Sequence, residues 1–212
     1  MKLPTEQQCL NYFEEFKVPK NIFDHCQAVK EVSLFLAKEL QKTNLHLDLA
    51  QLECMAFLHD LFKTVVLSEL KTNSFYPNPY SPQEIEMWKF LRQKYAGKHE
   101  SEAAFLFFQD SFPELGQAIK DSSNSQKKTR TWEEDILHYV DWRILGQEIV
   151  SSAQRIKYIE ERYFPEKENN SEKFQELQNY LQLFEHAEQR IFSQLDFTPQ
   201  QLKEEFEKRV IH

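Results

Sequence analysis

Four polar side chains on otherwise apolar segments are the residues of this sequence best suited to chemistry. They are His25, His59, Asp60 and Asp141. Imidazole nitrogens and carboxylate oxygens are ligands that suit Mn, Fe, Mg, Co or Zn. A buried carboxylate without a counter-charge costs on the order of several kcal/mol, and a bound cation would remove that cost. The residue types therefore indicate a metal site with coordination positions left over for water.

The adjacent pair His59-Asp60, taken alone, has an ordinary explanation. Apolar residues recur at helical spacing from Leu49 onward, which predicts a helix from Leu49 to Lys63 with His59 on its core-facing side. A histidine satisfied in the core and an aspartate at a helix end would give the same pattern. The metal interpretation therefore depends on the other two positions, because four polar residues on apolar stripes are hard to explain as accidents.

His25 and Asp141 are predicted to lie on two further helices. One helix runs from about Pro19 to Gln41, and its apolar stripe includes His25. The other is a long helix from about Trp132 to Tyr163, whose apolar stripe includes Asp141. Three separate helices would then bring their polar residues to one cation.

The composition favours an all-helical fold. Only three glycines occur in 212 residues, and long runs are rich in Leu, Glu, Gln, Lys and Phe, which leaves little room for hairpin turns. Residues 121–131 hold no hydrophobic side chain and are predicted to be a surface loop. Periodicity and capping signals predict further helices over residues 5–17, 81–95, 98–110, 115–120, 171–195 and 198–210. Asp48 is a predicted N-cap of the helix that leads to the His-Asp pair.

Charge and cysteine content narrow the partners and the compartment. Lys and Arg number 26 against 34 Asp and Glu, a formal net charge of -8, so a broad nucleic-acid surface is not expected. The three cysteines lie in apolar helical patterns without CxxC spacing, which favours reduced core thiols. No apolar signal segment opens the sequence, and no window approaches the roughly 20 apolar residues of a membrane span. We therefore expect a cytoplasmic protein without a membrane partner.

The order His, then His-Asp, then Asp resembles the HD superfamily of metal-dependent phosphohydrolases. The matching segments are NIFDHCQAV, AFLHDLFK, KHESEAA and ILHYVDWRILGQEIVSSAQR, which reach from about residue 20 to 160. The resemblance implies an all-α, HD-domain-like helical bundle over residues 1–165, with the additional C-terminal helices of residues 166–212 packed on it. It also implies that one divalent metal ion is bound by His25, His59, Asp60 and Asp141.

Three residues outside this ligand set have candidate roles, and the same resemblance suggests those of Lys63 and His99. Lys63 stands where members with an HDxxK pattern use the lysine on a substrate phosphate; a solvated helix-end cation is the alternative. His99, predicted to face inward at a helix start, matches the first of the histidines that hold a second metal in some members. No histidine stands where the next would be, in AIKDSSNS, so we expect His99 to contact substrate or to be a weak second-metal ligand. Arg143 is a second candidate phosphate clamp, or an exposed charge.

The implied activity is hydrolysis of a phosphate ester or anhydride in a nucleotide or related small phosphorylated metabolite. The metal would lower the pKa of its water, Asp60 or Asp141 would receive the proton, and Lys63 would hold the phosphate. Some members carry an acid at the lysine position as proton donor, and its absence here leaves open a non-catalytic nucleotide-binding sensor. A di-iron oxygenase of the same fold is a third alternative, but it needs the histidine that is missing near Ser122.

The segment NSFYPNPYSP, residues 73–82, follows closely on the His-Asp pair. Its prolines exclude a continuing helix, and it is predicted either to form one wall of a pocket or to be a plain connector. In the first case its aromatic residues Phe75, Tyr76 and Tyr80 are candidates for base contacts.

Overall fold

The computed structural model describes residues 2–67, 79–164 and 170–210. In these ranges ten α-helices and one short hairpin form the regular structure, so the predicted all-α fold is confirmed. The helices are α1 (Glu6–Glu15), α2 (Lys20–Gln41), α3 (Leu49–Leu58), α4 (Pro82–Lys94), α5 (Glu100–Phe108), α6 (Pro113–Ser122), α7 (Trp132–Asp141), α8 (Ser152–Tyr163), α9 (Ser171–Phe192) and α10 (Leu202–Val210). The hairpin pairs β1 (Ile144–Leu145) with β2 (Glu148–Ile149), and 3-10 turns cover Lys63–Val65 and Pro199–Gln201.

Side-chain caps determine where several helices begin. In each capping box a hydroxyl accepts from the backbone N–H three residues on, and a Gln or Glu there returns a bond to the cap. Such boxes open α1, α4, α7 and α8, at Thr5, Ser81, Thr131 and Ser151. Asp48 caps α3 as predicted, because its Oδ1 accepts from the backbone N–H of Gln51 at 2.9 Å.

Helix α3 is shorter than the sequence predicts. It ends at Leu58, and the pair His59-Asp60 follows in a turn instead of lying within a helix that continues to Lys63. Bonds from the N–H of Leu61 to the Leu58 carbonyl and from the N–H of Lys63 to the Asp60 carbonyl close this turn. Adjacent side chains on an α-helix point about 100° apart. His59 keeps helical dihedral angles, φ −58° and ψ −38°, and the ligand atoms of His59 and Asp60 nevertheless lie within 4.8 Å of each other.

The predicted long helix from Trp132 to Tyr163 is wrong. Helix α7 ends at Asp141, the hairpin follows, and α8 starts only at Ser152. Gly146 has φ +64° in the hairpin turn, a left-handed conformation that glycine adopts without a steric penalty. The capping box at Ser151 then starts a new helix. The chain therefore reverses direction shortly after Asp141.

One continuous apolar core joins the helices. It includes α2 and α3 residues that are completely buried, such as Leu36, Leu52 and Met55. The three cysteines are free and buried, which agrees with the predicted core thiols. The segment predicted as a C-terminal extension adds side chains to the same core, namely Leu177, Phe184, Ala187, Ile191, Phe197 and Leu202.

A buried ion pair also fastens α9 to α7. The Asp135 carboxylate has no exposed surface and accepts from Arg130 at 2.7 Å and from Arg190 of α9. The Arg190 guanidinium lies 4.0 Å from the centre of the Trp132 ring. In the described ranges, no helix combines the length and the apolar surface that crossing a membrane requires.

Candidate metal centre

Three predicted ligands meet where α2 approaches the turn after α3. Within the described residues, His25, His59 and Asp60 each offer one ligand atom, and these atoms lie within 4.8 Å of one another. Asp141, at the end of α7, joins them, since its Oδ1 is 3.0 Å from His25 Nε2 and 3.7 Å from His59 Nε2. With metal–ligand distances of about 2.0–2.2 Å, neighbouring ligand atoms are roughly 3.0–3.6 Å apart. The 3.0 Å between Asp141 and His25 falls within this range, whereas the 3.7 Å from Asp141 to His59 and the 3.8 Å from His59 to Asp60 exceed it slightly, so the ligands would have to draw closer around a cation.

The backbone orients both imidazoles through Nδ1. His25 Nδ1 donates to the Gly146 carbonyl oxygen at 3.1 Å, and His59 Nδ1 donates to the Ala56 carbonyl oxygen at 2.8 Å. Because a carbonyl oxygen can only accept, Nδ1 carries a proton in both rings. Each Nε2 then faces the carboxylates. Histidines that bind metals are usually held by such a bond from their second nitrogen.

The Nε2 atom of His59 has no hydrogen-bond partner among the described residues although it is buried. The nearest acid oxygens are Asp141 Oδ1 at 3.7 Å and Asp60 Oδ2 at 3.8 Å, beyond the range of a hydrogen bond. A buried polar atom left in this state costs about 1–3 kcal/mol. A cation placed between the imidazole and the two carboxylates would remove that cost.

Charges within the cluster shift the pKa of its members. Burial lowers the pKa of His59, but the Asp60 carboxylate, Cys26 and Asp141 raise it, and the result is well above the usual value. Burial raises the pKa of Asp141, whereas the adjacent imidazoles of His25 and His59 lower it, and the result is well below the usual value. The acids therefore stay ionised. Binding of a cation would displace the proton of His59, so metal affinity should rise with pH.

Lys63 lies between the cluster and a second acid. Its Nζ is 3.4 Å from Asp60 Oδ1 and 2.8 Å from Glu100 Oε1. Glu100 is buried in the first turn of α5, and its Oε2 is 3.1 Å from His99 Nε2. His99 is the N-cap of α5, and 49% of its side chain is exposed, so it faces inward less than the sequence predicts. Glu100 and His99 therefore lie beside the cluster, next to Lys63.

The structure does not bring Arg143 into the cluster. Its buried guanidinium donates to the carbonyl oxygens of Val150 at 2.9 Å and Pro199 at 3.0 Å, and to the Tyr139 hydroxyl. These bonds connect α7, the hairpin and the turn before α10. The described contacts of Arg143 are therefore structural and do not involve the cluster.

Arg155 of α8 is the arginine that reaches the cluster. Its Nε donates to the Asp141 carbonyl oxygen at 3.3 Å, and its Nη2 is 3.6 Å from Asp141 Oδ1. On the predicted long helix, residue 155 would lie about 21 Å along the axis from residue 141. The sequence therefore did not predict a contact between Arg155 and Asp141. The combination of Gly146 with a Ser151 cap was the signal of a helix break. The sequence did not single out Glu100 as a functional residue, since acidic residues are common in the first turn of a helix.

The aromatic loop can be compared with its prediction only in part. Phe75 and Tyr76 lie outside the described residues. The Tyr80 ring packs edge-on against Trp88, with the ring centres 4.6 Å apart. The role of this loop as a pocket wall stays a prediction.

Comparisons of the chain with family models, with curated proteins and with solved structures find no match.

Proposed function

We propose that this protein is an HD-type, metal-dependent phosphohydrolase that acts on a phosphate ester or anhydride of a small molecule such as a nucleotide. The observation that carries the proposal is the buried Nε2 of His59, which faces two carboxylates and has no hydrogen-bond partner among the described residues. The order of His25, the His-Asp pair and Asp141 along the chain supports it, because it is the order of the ligands in the family that the sequence resembles.

The donor set fits one divalent cation. Two imidazoles and two carboxylates suit Mn, Fe, Mg, Co or Zn and leave positions for water and substrate. A cation held by His25, His59, Asp60 and Asp141 would supply a water of lowered pKa and stabilise charge on phosphoryl oxygens.

Asp60 and Asp141 are the candidate acceptors of the water proton. Burial raises the pKa of Asp60, but Lys63 and His59 lower it, and the result is below the usual value. Both acids are therefore ionised at neutral pH. The Lys63 ammonium, held 2.8 Å from Glu100 and 3.4 Å from Asp60, adds a positive charge beside the cluster that attracts a phosphate.

The position of Lys63 favours one metal ion over two. A second cation near His99 would compete with the Lys63 ammonium for the carboxylates of Asp60 and Glu100, and the like charges would repel each other. The same argument disfavours a di-iron oxygenase, which needs two metals. His99 then remains a candidate contact for the substrate.

The test is a phosphatase panel of nucleoside mono-, di- and triphosphates and cyclic nucleotides, run with Mn, Mg, Co and Fe. We expect at least one substrate class to be hydrolysed only when metal is present, with the products separated by chromatography. His59→Ala and Asp60→Asn should each lower turnover by about 100-fold or more. The exposed histidine of α9 gives the control His186→Ala, which should keep full activity.

Two outcomes would contradict the enzymatic proposal. One is full turnover by His59→Ala protein that has lost its metal. The other is metal-loaded protein that binds nucleotides in a thermal-shift screen and hydrolyses none of them, which would support a sensor.

A further inference from the structure

We propose that Arg155 forms an anion subsite beside the metal centre, which binds two non-bridging oxygens of a terminal phosphate and makes substrates with a terminal phosphate preferred over phosphodiesters. This inference rests on the proposed function and specifies its substrate class. It assigns the substrate clamp to α8, in place of Arg143.

The guanidinium of Arg155 is anchored by one edge. Its Nε donates to the Asp141 carbonyl oxygen at 3.3 Å, and this is its hydrogen bond within the described part of the chain. The terminal nitrogens carry most of the donors of an arginine. The nearest described acid oxygen, Asp141 Oδ1, is 3.6 Å from Nη2, beyond hydrogen-bond range. Among the described residues, the outer edge of the guanidinium, formed by its two terminal nitrogens, therefore has donors without an acceptor within hydrogen-bond distance.

Most of Arg155 is buried, whereas its terminal nitrogens keep some contact with solvent. Arg155 is only 9% exposed, and its guanidinium lies 5.4 Å from the centre of the Tyr158 ring. Buried charged groups are normally paired and hydrogen-bonded, since desolvation is costly. The nearest carboxylate among the described residues, that of Asp141, also faces the imidazoles of His25 and His59. Once that carboxylate binds a cation, less of its charge is left to pair with Arg155.

Two other arginines with buried side chains, Arg130 and Arg143, have a purely structural role among the described residues. Arg130 donates to the Asp135 carboxylate and to several backbone carbonyls. Arg143 donates to two carbonyls and a hydroxyl. Both use their terminal nitrogens as well as Nε, whereas Arg155 uses Nε alone among the described hydrogen bonds. This difference points to a ligand as the acceptor for Arg155.

Phosphate is the anion that matches this edge. A guanidinium presents parallel donors that bind two oxygens of a phosphate at once, which an ammonium cannot do. A metal ion next to Asp141 would take a further oxygen. A phosphate monoester has three non-bridging oxygens and can satisfy both, whereas a diester has two and would have to share one. The site should therefore favour a terminal phosphate.

The first experiment measures binding of inorganic phosphate to Mn-loaded protein by titration calorimetry, so it needs no turnover. We expect Arg155→Gln to weaken phosphate binding by about 10-fold or more. Arg155→Lys, which keeps the charge and loses the two-pronged edge, should recover only part of the affinity. Arg162→Gln removes an exposed arginine from the same helix and should bind phosphate like the wild type.

The second experiment compares p-nitrophenyl phosphate with bis-p-nitrophenyl phosphate. We expect the wild type to prefer the monoester and Arg155→Lys to lose most of that preference through the monoester rate. Circular dichroism and Mn content identify folded, metal-loaded variants, and Arg155→Lys decides the question where Arg155→Gln does not fold.

The outcomes separate this inference from the proposed function. Unchanged phosphate affinity in folded, Mn-loaded Arg155 variants overturns the subsite and leaves the metal centre standing. A wild type that binds Mn and no phosphate, or that prefers the diester, also overturns the subsite alone. A wild type that binds no Mn overturns the metal centre, and the subsite with it.

Discussion

Two histidines whose Nε2 atom is buried differ in what surrounds them. His59 and His138 each have an Nε2 without a hydrogen-bond partner among the described residues. His59 faces carboxylates that raise its pKa. The His138 ring lies instead near the rings of Trp142 and Tyr180, at 5.5 Å and 6.4 Å between centres. Burial, with a contribution from Arg130, lowers the pKa of His138 to about 4. The neighbouring charges, and not burial, therefore distinguish a candidate ligand from a core histidine.

His138 should make the protein less stable in acid. An unfolded histidine has a pKa of about 6.5, so between that value and about 4 the unfolded chain binds a proton that the folded chain does not. The free energy of unfolding then falls as the pH falls, by about 3 kcal/mol across this window. His138→Phe keeps an aromatic ring and removes the titrating group. Urea unfolding at pH 7 and pH 4 should show a smaller loss for His138→Phe than for the wild type.

The control for this comparison is His186→Phe, which changes an exposed histidine of α9. It should lose as much stability between pH 7 and pH 4 as the wild type does. An identical loss in His138→Phe would mean that His138 titrates normally in the folded protein.

Among the elements, the hairpin between α7 and α8 has the greatest effect on the site. Its turn provides the Gly146 carbonyl that orients His25, and its return path starts α8 so that Arg155 reaches Asp141. The hairpin could not be predicted from the sequence. Ile144 of β1 and Ile149 of β2 are both buried, and their spacing continues the apolar pattern of α7. By contrast, the caps at Asp48 and Ser81 could be predicted from the sequence, since a cap is an interaction between residues close in the chain.

Gly146→Ala tests the link between the hairpin and the metal. The left-handed φ of +64° costs alanine about 1–2 kcal/mol, and relief of that strain would move the carbonyl that holds His25. We expect a lower melting temperature together with weaker Mn binding by calorimetry. Gly97→Ala is the matched control, since Gly97 has φ +74° and no atom within 4 Å of an added Cβ.

Gly97→Ala should lower the melting temperature by a similar amount and leave Mn affinity unchanged. Equal Mn affinity in the two variants would show that the hairpin carbonyl does not orient the ligand.

In the molecule as a whole, the C-terminal helix α9 packs against α7, the helix that carries Asp141. Tyr180 of α9 packs against Trp142, which directly follows Asp141, with the ring centres 6.1 Å apart. The buried pair of Asp135 with Arg190 fastens α9 to α7. The predicted extension therefore shares the core on which the position of Asp141 depends.

The candidate ligands could be predicted because charged and imidazole side chains interrupt apolar stripes, a pattern visible in one dimension. The positive groups around them could not. Arg143 and Arg155 are both arginines near Asp141 in sequence, and only the path of the hairpin decides that Arg155 contacts it. Lys63 was placed beside Asp60 by its spacing, but its contact with Glu100 joins residues 37 positions apart and depends on how α5 packs.

The most direct test of the account is the number of Mn ions bound per chain at equilibrium, measured by elemental analysis after dialysis. We expect one ion per chain in the wild type and in His186→Ala, and none above background in folded His59→Ala or Asp60→Ala. Two ions per chain, or one ion retained in His59→Ala and Asp60→Ala, would contradict a single centre built from His25, His59, Asp60 and Asp141.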